Sequence, residues 1–140
     1  MPKPSSISDC MRTNPMTVAP TENLASAVEK IIEHRLTGLT VVDDQGCVIG
    51  VISELDCLRG ALSAIYNDGD PEHVLVNEVM STQVNVCSPE DGIVEVAQQM
   101  LDTRQRRRPV VKNGKLHGQV SSKNVLWALM QHTRRNSKSA

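Results

Sequence analysis

Ser53 and Asp56 are the residues best placed by type and spacing to do chemistry, and they close the stretch Gly50-Val51-Ile52-Ser53-Glu54-Leu55-Asp56. The apolar residues from Val48 to Ile52 read as a short strand, and a helix starts after Ser53 with Asp56 in its first turn. Two chemistries fit. In one, Ser53 is the N-cap and Asp56 the N3 residue of a capping box that ties off free backbone N–H groups. In the other, the same helix start holds a ligand: helix N-termini attract anions, and an outward carboxylate accepts two hydroxyls of a ribose. The pattern returns as Gly118-Gln119-Val120-Ser121-Ser122-Lys123-Asn124, with an amide where the carboxylate stood.

Other groups narrow the chemistry. Arg104, Gln105, Arg106, Arg107 and Arg108 form the densest basic run in the chain. Such a run is either a solvated helix end, where cations favour the C-terminal dipole, or a set of phosphate donors. Glu54 and Asp56 are two residues apart and cannot share a helix face. No Ser or Cys stands next to a general base and no P-loop occurs, so no catalytic residues are expected. The four cysteines make no C-x-x-C and the four histidines no H-x-x-x-H. Neither a metal site nor a disulfide framework is therefore expected, and free thiols suit a reducing cytoplasm. A net charge of -1, with Tyr66 and Trp127 the only aromatic residues, argues against nucleic-acid binding. No apolar run approaches a membrane span.

The positioning elements follow from periodicity. Met16-Thr17-Val18-Ala19 is a short strand stopped by Pro20. A helix capped by Asn23 carries Leu24, Ala27, Val28, Ile31 and Ile32 as its apolar stripe, and Gly38 is expected to end it. Leu39 to Val42 and Val48 to Ile52 form a hairpin about Asp43-Asp44-Gln45-Gly46. The next helix carries Leu55, Leu58, Leu62 and Ile65 on one side.

The plan then repeats. A shift of 69 residues aligns Met11 with Met80, Pro20 with Pro89, Arg35 with Arg104 and Val41-Val42 with Val110-Val111. The second stripe is Ile93, Val96, Ala97, Met100 and Leu101. The turn Lys112-Asn113-Gly114 is one residue shorter, and at a shift of 68 Gly50 meets Gly118 and Ser53 meets Ser121. A deletion confined to a turn is what a duplicated fold tolerates. The expected organisation is a leader at 1–6, a first repeat at 7–66, a linker at 67–75, a second repeat at 76–133 and a disordered basic tail at 134–140. Each repeat reads as strand–helix–strand–strand–helix and is too small to bury much apolar surface alone.

The combined pattern is a Met near each repeat start, a strand ending before Pro, an amphipathic helix, paired valines, a Gly turn and then G-h-x-S-x-x-D. It resembles the cystathionine-β-synthase (CBS) domain, here as a tandem pair or Bateman module. The resemblance covers residues 7 to about 131 and leaves nothing for a further domain, as in stand-alone CBS-pair proteins. It implies an α+β fold of two βαββα repeats about a pseudo-two-fold axis, with AMP, ADP or ATP bound in clefts between them. Carried over by position, one cleft has Asp56 for the ribose, Ser53 facing the phosphates, Asn85 and Val86 beside the adenine, and Arg106, Arg107 and Lys123 toward the phosphates. The other cleft, with Ser121, Asn124, Thr17 and Val18, departs from the family pattern because Asn124 lacks the charge, and it is expected to be weaker.

Two readings remain open. In the first, the chain is a nucleotide-sensing regulatory module whose conformational change is read by a partner protein. In the second, it is a ligand-free dimeric interaction scaffold in which both motifs are only caps. The apolar residues Leu58, Leu62, Ile65, Trp127 and Met130 exceed what sheet packing needs, and the resemblance also implies a homodimer.

Overall fold

A computed structural model describes residues 6–138. After a 3-10 turn at Ile7–Asp9 come strands β1 (Arg12–Thr13) and β2 (Thr17–Val18), helix α1 (Leu24–Glu33), strands β3 (Gly38–Val42) and β4 (Val48–Ser53) and helix α2 (Glu54–Tyr66). A 3-10 turn at Pro71–His73 and the single-turn helix α3 (Val76–Val79) lead to α4 (Ile93–Asp102), β5 (Arg107–Lys112), β6 (Lys115–Ser121) and α5 (Ser122–Lys138). The fold is α+β, as expected. Residues 1–5 of the expected leader and 139–140 of the expected tail lie outside the described residues.

The chain forms two compact units. One is continuous, Met16–Val84; the other is composite, joining the segment up to Pro15 with the chain from Asn85 onward. The continuous unit carries the sheet β2-β3-β4, with β2 parallel to β3 and β3 antiparallel to β4. Val18, Leu24, Ala27, Ile31, Val41 and Ile52 form its core. The composite unit carries the sheet β1-β6-β5, antiparallel throughout. Its core holds Ile7, Ile93, Val96, Val110, Val120 and Val125.

The compact units are not the sequence repeats, because each repeat's leading segment packs in the other unit. Met80-Ser81 crosses β4 at Gly50, where an added Cβ would lie 2.8 Å from Met80 Sδ and 2.8 Å from the Ser81 carbonyl. Met11-Arg12 crosses β6 at Gly118, where an added Cβ would lie 2.6 Å from the Arg12 carbonyl. The first residue of the G-h-x-S motif is thus the gap through which a backbone passes.

Several expectations need correction. Gly38 does not end α1 but opens β3; the helix stops at Glu33, with Arg35 in the left-handed region at φ 52°. The Leu36 amide donates to the Ile31 carbonyl and that of Arg35 to Ile32, which closes the last turn as a Schellman motif. Arg104, at φ 53°, ends α4 in the same way through Gln105 to Met100 and Arg104 to Leu101. The last residue of each helix stripe, Ile32 and Leu101, is exposed rather than buried. The first strand of the second repeat shrinks to a single bridge between Cys87 and Val110. Pro109 has no N–H to extend that ladder, and the Asn85 carbonyl accepts instead from Gln105 Nε2 at 3.0 Å. Helix α5 continues through Lys138 into the expected disordered tail. No Gly or Pro interrupts residues 122–138, and the Arg134 guanidinium lies 5.9 Å from the centroid of the Trp127 ring.

Candidate functional site

At the start of α2 the capping box is complete. Ser53 Oγ accepts from the Asp56 amide at 3.0 Å, and Asp56 Oδ2 accepts from the Ser53 amide at 2.9 Å. Asp56 Oδ1 pairs with the exposed Arg59 at 3.2 Å. A carboxylate offers about four acceptor positions, so two remain. Among the described residues no acceptor is found for the Ser53 hydroxyl, which accepts one hydrogen bond and keeps its own hydrogen.

The second motif is spent on itself. Asn124 Oδ1 accepts from the Ser121 amide at 3.1 Å and from the Ser121 hydroxyl at 2.8 Å, while the Asn124 amide donates to Ser121 Oγ at 3.1 Å. The amide has one acceptor oxygen with two lone pairs, and the cap uses both.

The basic run divides by depth. Arg104 is the exposed left-handed residue that ends α4, and Arg106 is exposed. Arg108 is buried at 3 % exposure. Its Nε donates to Gln105 Oε1 at 2.9 Å, Nη1 to Gln99 Oε1, and Nη2 to Thr103 Oγ1 at 3.4 Å. Arg107 is half-buried, and strand pairing sets it opposite Ser121. Burial and the nearby charge of Arg12 hold the Arg107 guanidinium below its usual pKa.

The composite unit therefore brings Arg106, Arg107, Ser121 and Asn124 together at the start of α5, where the Ser122 amide donates to the Arg106 carbonyl at 2.8 Å. Lys123 is exposed in the first turn of that helix. Asn85 and Val86 are exposed and precede the Cys87 bridge. Thr17 and Val18 lie in the continuous unit, paired with Thr40 and Val41, and Val18 is buried. The Thr17 carbonyl accepts from Lys30 Nζ at 3.0 Å. Arg12 went unrecognised in the sequence, because only the register of β1 against β6 brings it to this sheet.

Cys10, Cys57 and Cys87 are poorly disposed to nucleophilic chemistry. Burial pushes Cys87 up to about 11, and burial with a neighbouring carboxylate raises Cys10 and Cys57. Among the described residues no three His, Cys, Asp or Glu side chains cluster to hold a metal ion. A cleft of about 440 Å³ opens along α5 beside Asp9, Asn124, Trp127 and Gln131; neither Ser121 nor Arg107 lines it. No helix among the described residues is long and apolar enough to cross a membrane.

The CBS-domain signature matches residues 7–63 and 76–131, and the chain belongs to the CBS-domain family. A Thermofilum pendens protein described as an uncharacterized 33.4 kDa protein in a ribosomal RNA operon is 33 % identical over 116 residues, which is 83 % of this chain and 37 % of that one. The chloroplastic CBS domain-containing protein CBSX1 of Arabidopsis thaliana is 30 % identical over 88 % of this chain and 62 % of its own. The chain thus spans less than two thirds of either relative. The crystal structure of Arabidopsis CBSX2 in complex with AMP matches with a TM-score of 0.79 at 29 % identity, covering 91 % of this chain and 98 % of that one.

Proposed function

We propose that this chain is a non-catalytic regulatory module that binds an adenine nucleotide, AMP, ADP or ATP, and signals by a change in conformation. The observation that carries the reading is the match across both CBS domains to CBSX2, a protein solved with AMP. The spare acceptor capacity of Asp56 supports it, because ribose hydroxyls need acceptors and Asn124 has none left. In this reading Asp56 takes the ribose, Ser53 donates its hydroxyl hydrogen, Asn85 and Val86 flank the adenine, and Arg106, Arg107 and Lys123 face the phosphates. Ser121, Asn124, Thr17 and Val18 make a poorer site. The ligand shifts a balance between conformations, and a regulated protein reads the result as a measure of cellular energy state.

Calorimetry and melting curves on the chain and on Asp56→Ala test this. The parent gains about 2.7 kcal/mol of stability at a hundred times Kd, and Asp56→Ala weakens binding about 10- to 150-fold. Losing the cap costs about 0.5–2 kcal/mol with or without ligand, so the ligand-induced shift separates the two roles. If the parent shows no shift with millimolar AMP or ATP, or Asp56→Ala retains the full shift, the ribose role is wrong. A second reading, a ligand-free dimeric scaffold, then takes its place. It is favoured by the two closed caps and by the exposed apolar row of α2.

A further inference from the structure

The near-zero net charge of the chain conceals a division. Residues 16–84, the continuous unit, hold eleven Asp or Glu against three Lys or Arg. The rest of the chain holds five against twelve, and no Asp or Glu follows Asp102. The equivalent helices of the two repeats, α2 and α5, carry this division on their outer sides. In α2, Glu54, Leu58, Leu62 and Ile65 stand at i, i+4, i+8 and i+11, and all are exposed. One stripe of that helix is therefore apolar with a carboxylate at its start. Asp68, also exposed, follows the helix end. In α5, Lys123, Trp127, Met130 and Arg134 stand at i, i+4, i+7 and i+11, and all are exposed. That stripe is apolar with a cation at each end.

The 68-residue shift of the repeat sets Leu58 on Leu126 and Leu62 on Met130, and all four are exposed. The two rows are alike in apolar content, and apolar burial is non-directional, so it does not choose between them. Charge does. Among the described residues Glu54, Asp68 and Arg134 have no ion pair. The Arg134 guanidinium rests 5.9 Å from the centroid of the Trp127 ring, at the edge of the apolar row. Packing α2 against a second α2 sets carboxylates against carboxylates, and packing α5 against a second α5 sets cations against cations. Packing α2 against α5 brings carboxylates to cations around a shared apolar centre. Charges at the rim of an apolar contact fix its register and reject wrong pairings.

We infer that α2 of one copy of this chain seats on α5 of a second copy, so that unlike repeats meet and the two copies are ordered head to tail. By two-fold symmetry, α5 of the first copy then meets α2 of the second, and both rows are covered at once. Every rim contact forms twice, which doubles the preference that charge supplies. The occupant is a second copy because the chain itself carries both halves of the complement, an apolar row rimmed by acid and one rimmed by base. The inference goes beyond the proposed function and does not depend on any ligand.

Light scattering and sedimentation over a dilution series test this with three variants. The first, Glu54→Lys with Asp68→Arg, turns the α2 rim basic; Asp68 lies in the left-handed region at φ 56°, which Arg35 and Arg104 also occupy. The second, Thr133→Glu with Arg134→Glu, turns that end of the α5 rim acidic and leaves Lys123, assigned above to the phosphates, in place. The third carries all four changes. The parent should self-associate, and raising salt from about 0.05 to 0.5 M should weaken it, because screening removes attraction. Either two-site variant alone should associate about 10- to 100-fold more weakly. An equimolar mixture of the two should form mixed dimers, and the four-site variant should return to within about fivefold of the parent. Melting curves by circular dichroism report folding. Where a two-site variant loses its cooperative transition, the neutral changes Glu54→Gln with Asp68→Asn, or Arg134→Gln, replace it and should weaken association about 3- to 10-fold. If either two-site variant associates as the parent does, or salt tightens the parent, the rows pair like to like and the inference is overturned. A folded four-site variant that does not recover overturns it as well. A parent that stays monomeric leaves the rows to a different partner and also overturns it, while the nucleotide reading stands.

Discussion

Arg108 and Glu22 show how charged residues in this chain serve packing. Arg108 is a buried cation with no carboxylate partner among the described residues, held by the side-chain oxygens of Gln99, Thr103 and Gln105 that gather at the end of α4. Arg108→Met keeps the apolar stem but loses those charge-assisted hydrogen bonds. It should cost about 2–3 kcal/mol in urea unfolding, whereas Arg106→Met, on the exposed neighbour, should stay within about 0.5 kcal/mol. Glu22 closes the entry to α1 by accepting from the Ala19 amide, the Ser26 hydroxyl and Lys30 Nζ. Partial burial works to raise its pKa, but those hydrogen bonds outweigh it and hold the carboxyl below its usual value. Folding therefore favours the ionised form. The stability this supplies is complete above the unfolded carboxyl's pKa of about 4.3 and fades as pH falls through the lower folded value. Melting curves from pH 7 to pH 3 should show the gap between parent and Glu22→Gln constant above about pH 5 and closing in acid; a gap that widens in acid contradicts the assignment.

At the scale of elements, the motif glycines are the test of how the leading segments lie. Gly118→Ala drives a methyl against the Arg12 carbonyl, a backbone atom that cannot rotate away. It should cost about 1–3 kcal/mol and should raise hydrogen exchange at the amides that pair β1 with β6, while β5 keeps its protection. Equal exchange in parent and variant would place β1 elsewhere. What the sequence made legible here was local. Asn23 caps α1 by accepting from the Ser26 amide at 2.9 Å, and Ser53 with Asp56 closes the box its spacing implied. Both hairpins turn at Gly46 and Gly114, the glycines the repeat aligned. What stayed illegible was long-range or lacked a residue signal. Nothing in a bare arginine announces a left-handed helix end at Arg35 or Arg104. The pairing of Arg12 with Gln119 joins opposite ends of the chain, so it was invisible until register was known. The run Arg104–Arg108 looked uniform, yet its members divide among a helix terminus, an exposed strand entry, a half-buried face and the core.

For the whole molecule, the outer surface of α2 sets the association state. Its inward side is Cys57 and Gly60, both buried. Leu55, Leu58, Leu62 and Ile65 recur at helical spacing on the opposite side, between 44 % and 64 % exposed. In the composite unit, α5 likewise exposes Leu126, Trp127 and Met130. Burying a leucine or isoleucine side chain fully contributes about 1.5–3 kcal/mol, so a row of four is a costly surface to leave in water and a strong one to pair. A second copy of this chain supplies a matching row by two-fold symmetry, and we propose that the chain is a C2 homodimer through these helices. Light scattering should give twice the chain mass of 15.3 kDa at tens of micromolar. The double variant Leu58→Glu with Leu62→Glu should return the mass to 15.3 kDa while circular dichroism stays that of the parent, because neither side chain contributes to the buried core. Trp127, the one tryptophan, reports independently on α5: its emission should shift to the red on dilution of the parent and be red-shifted at all concentrations in the double variant. A parent mass of 15.3 kDa throughout would leave the apolar row to a different partner and remove the homodimer.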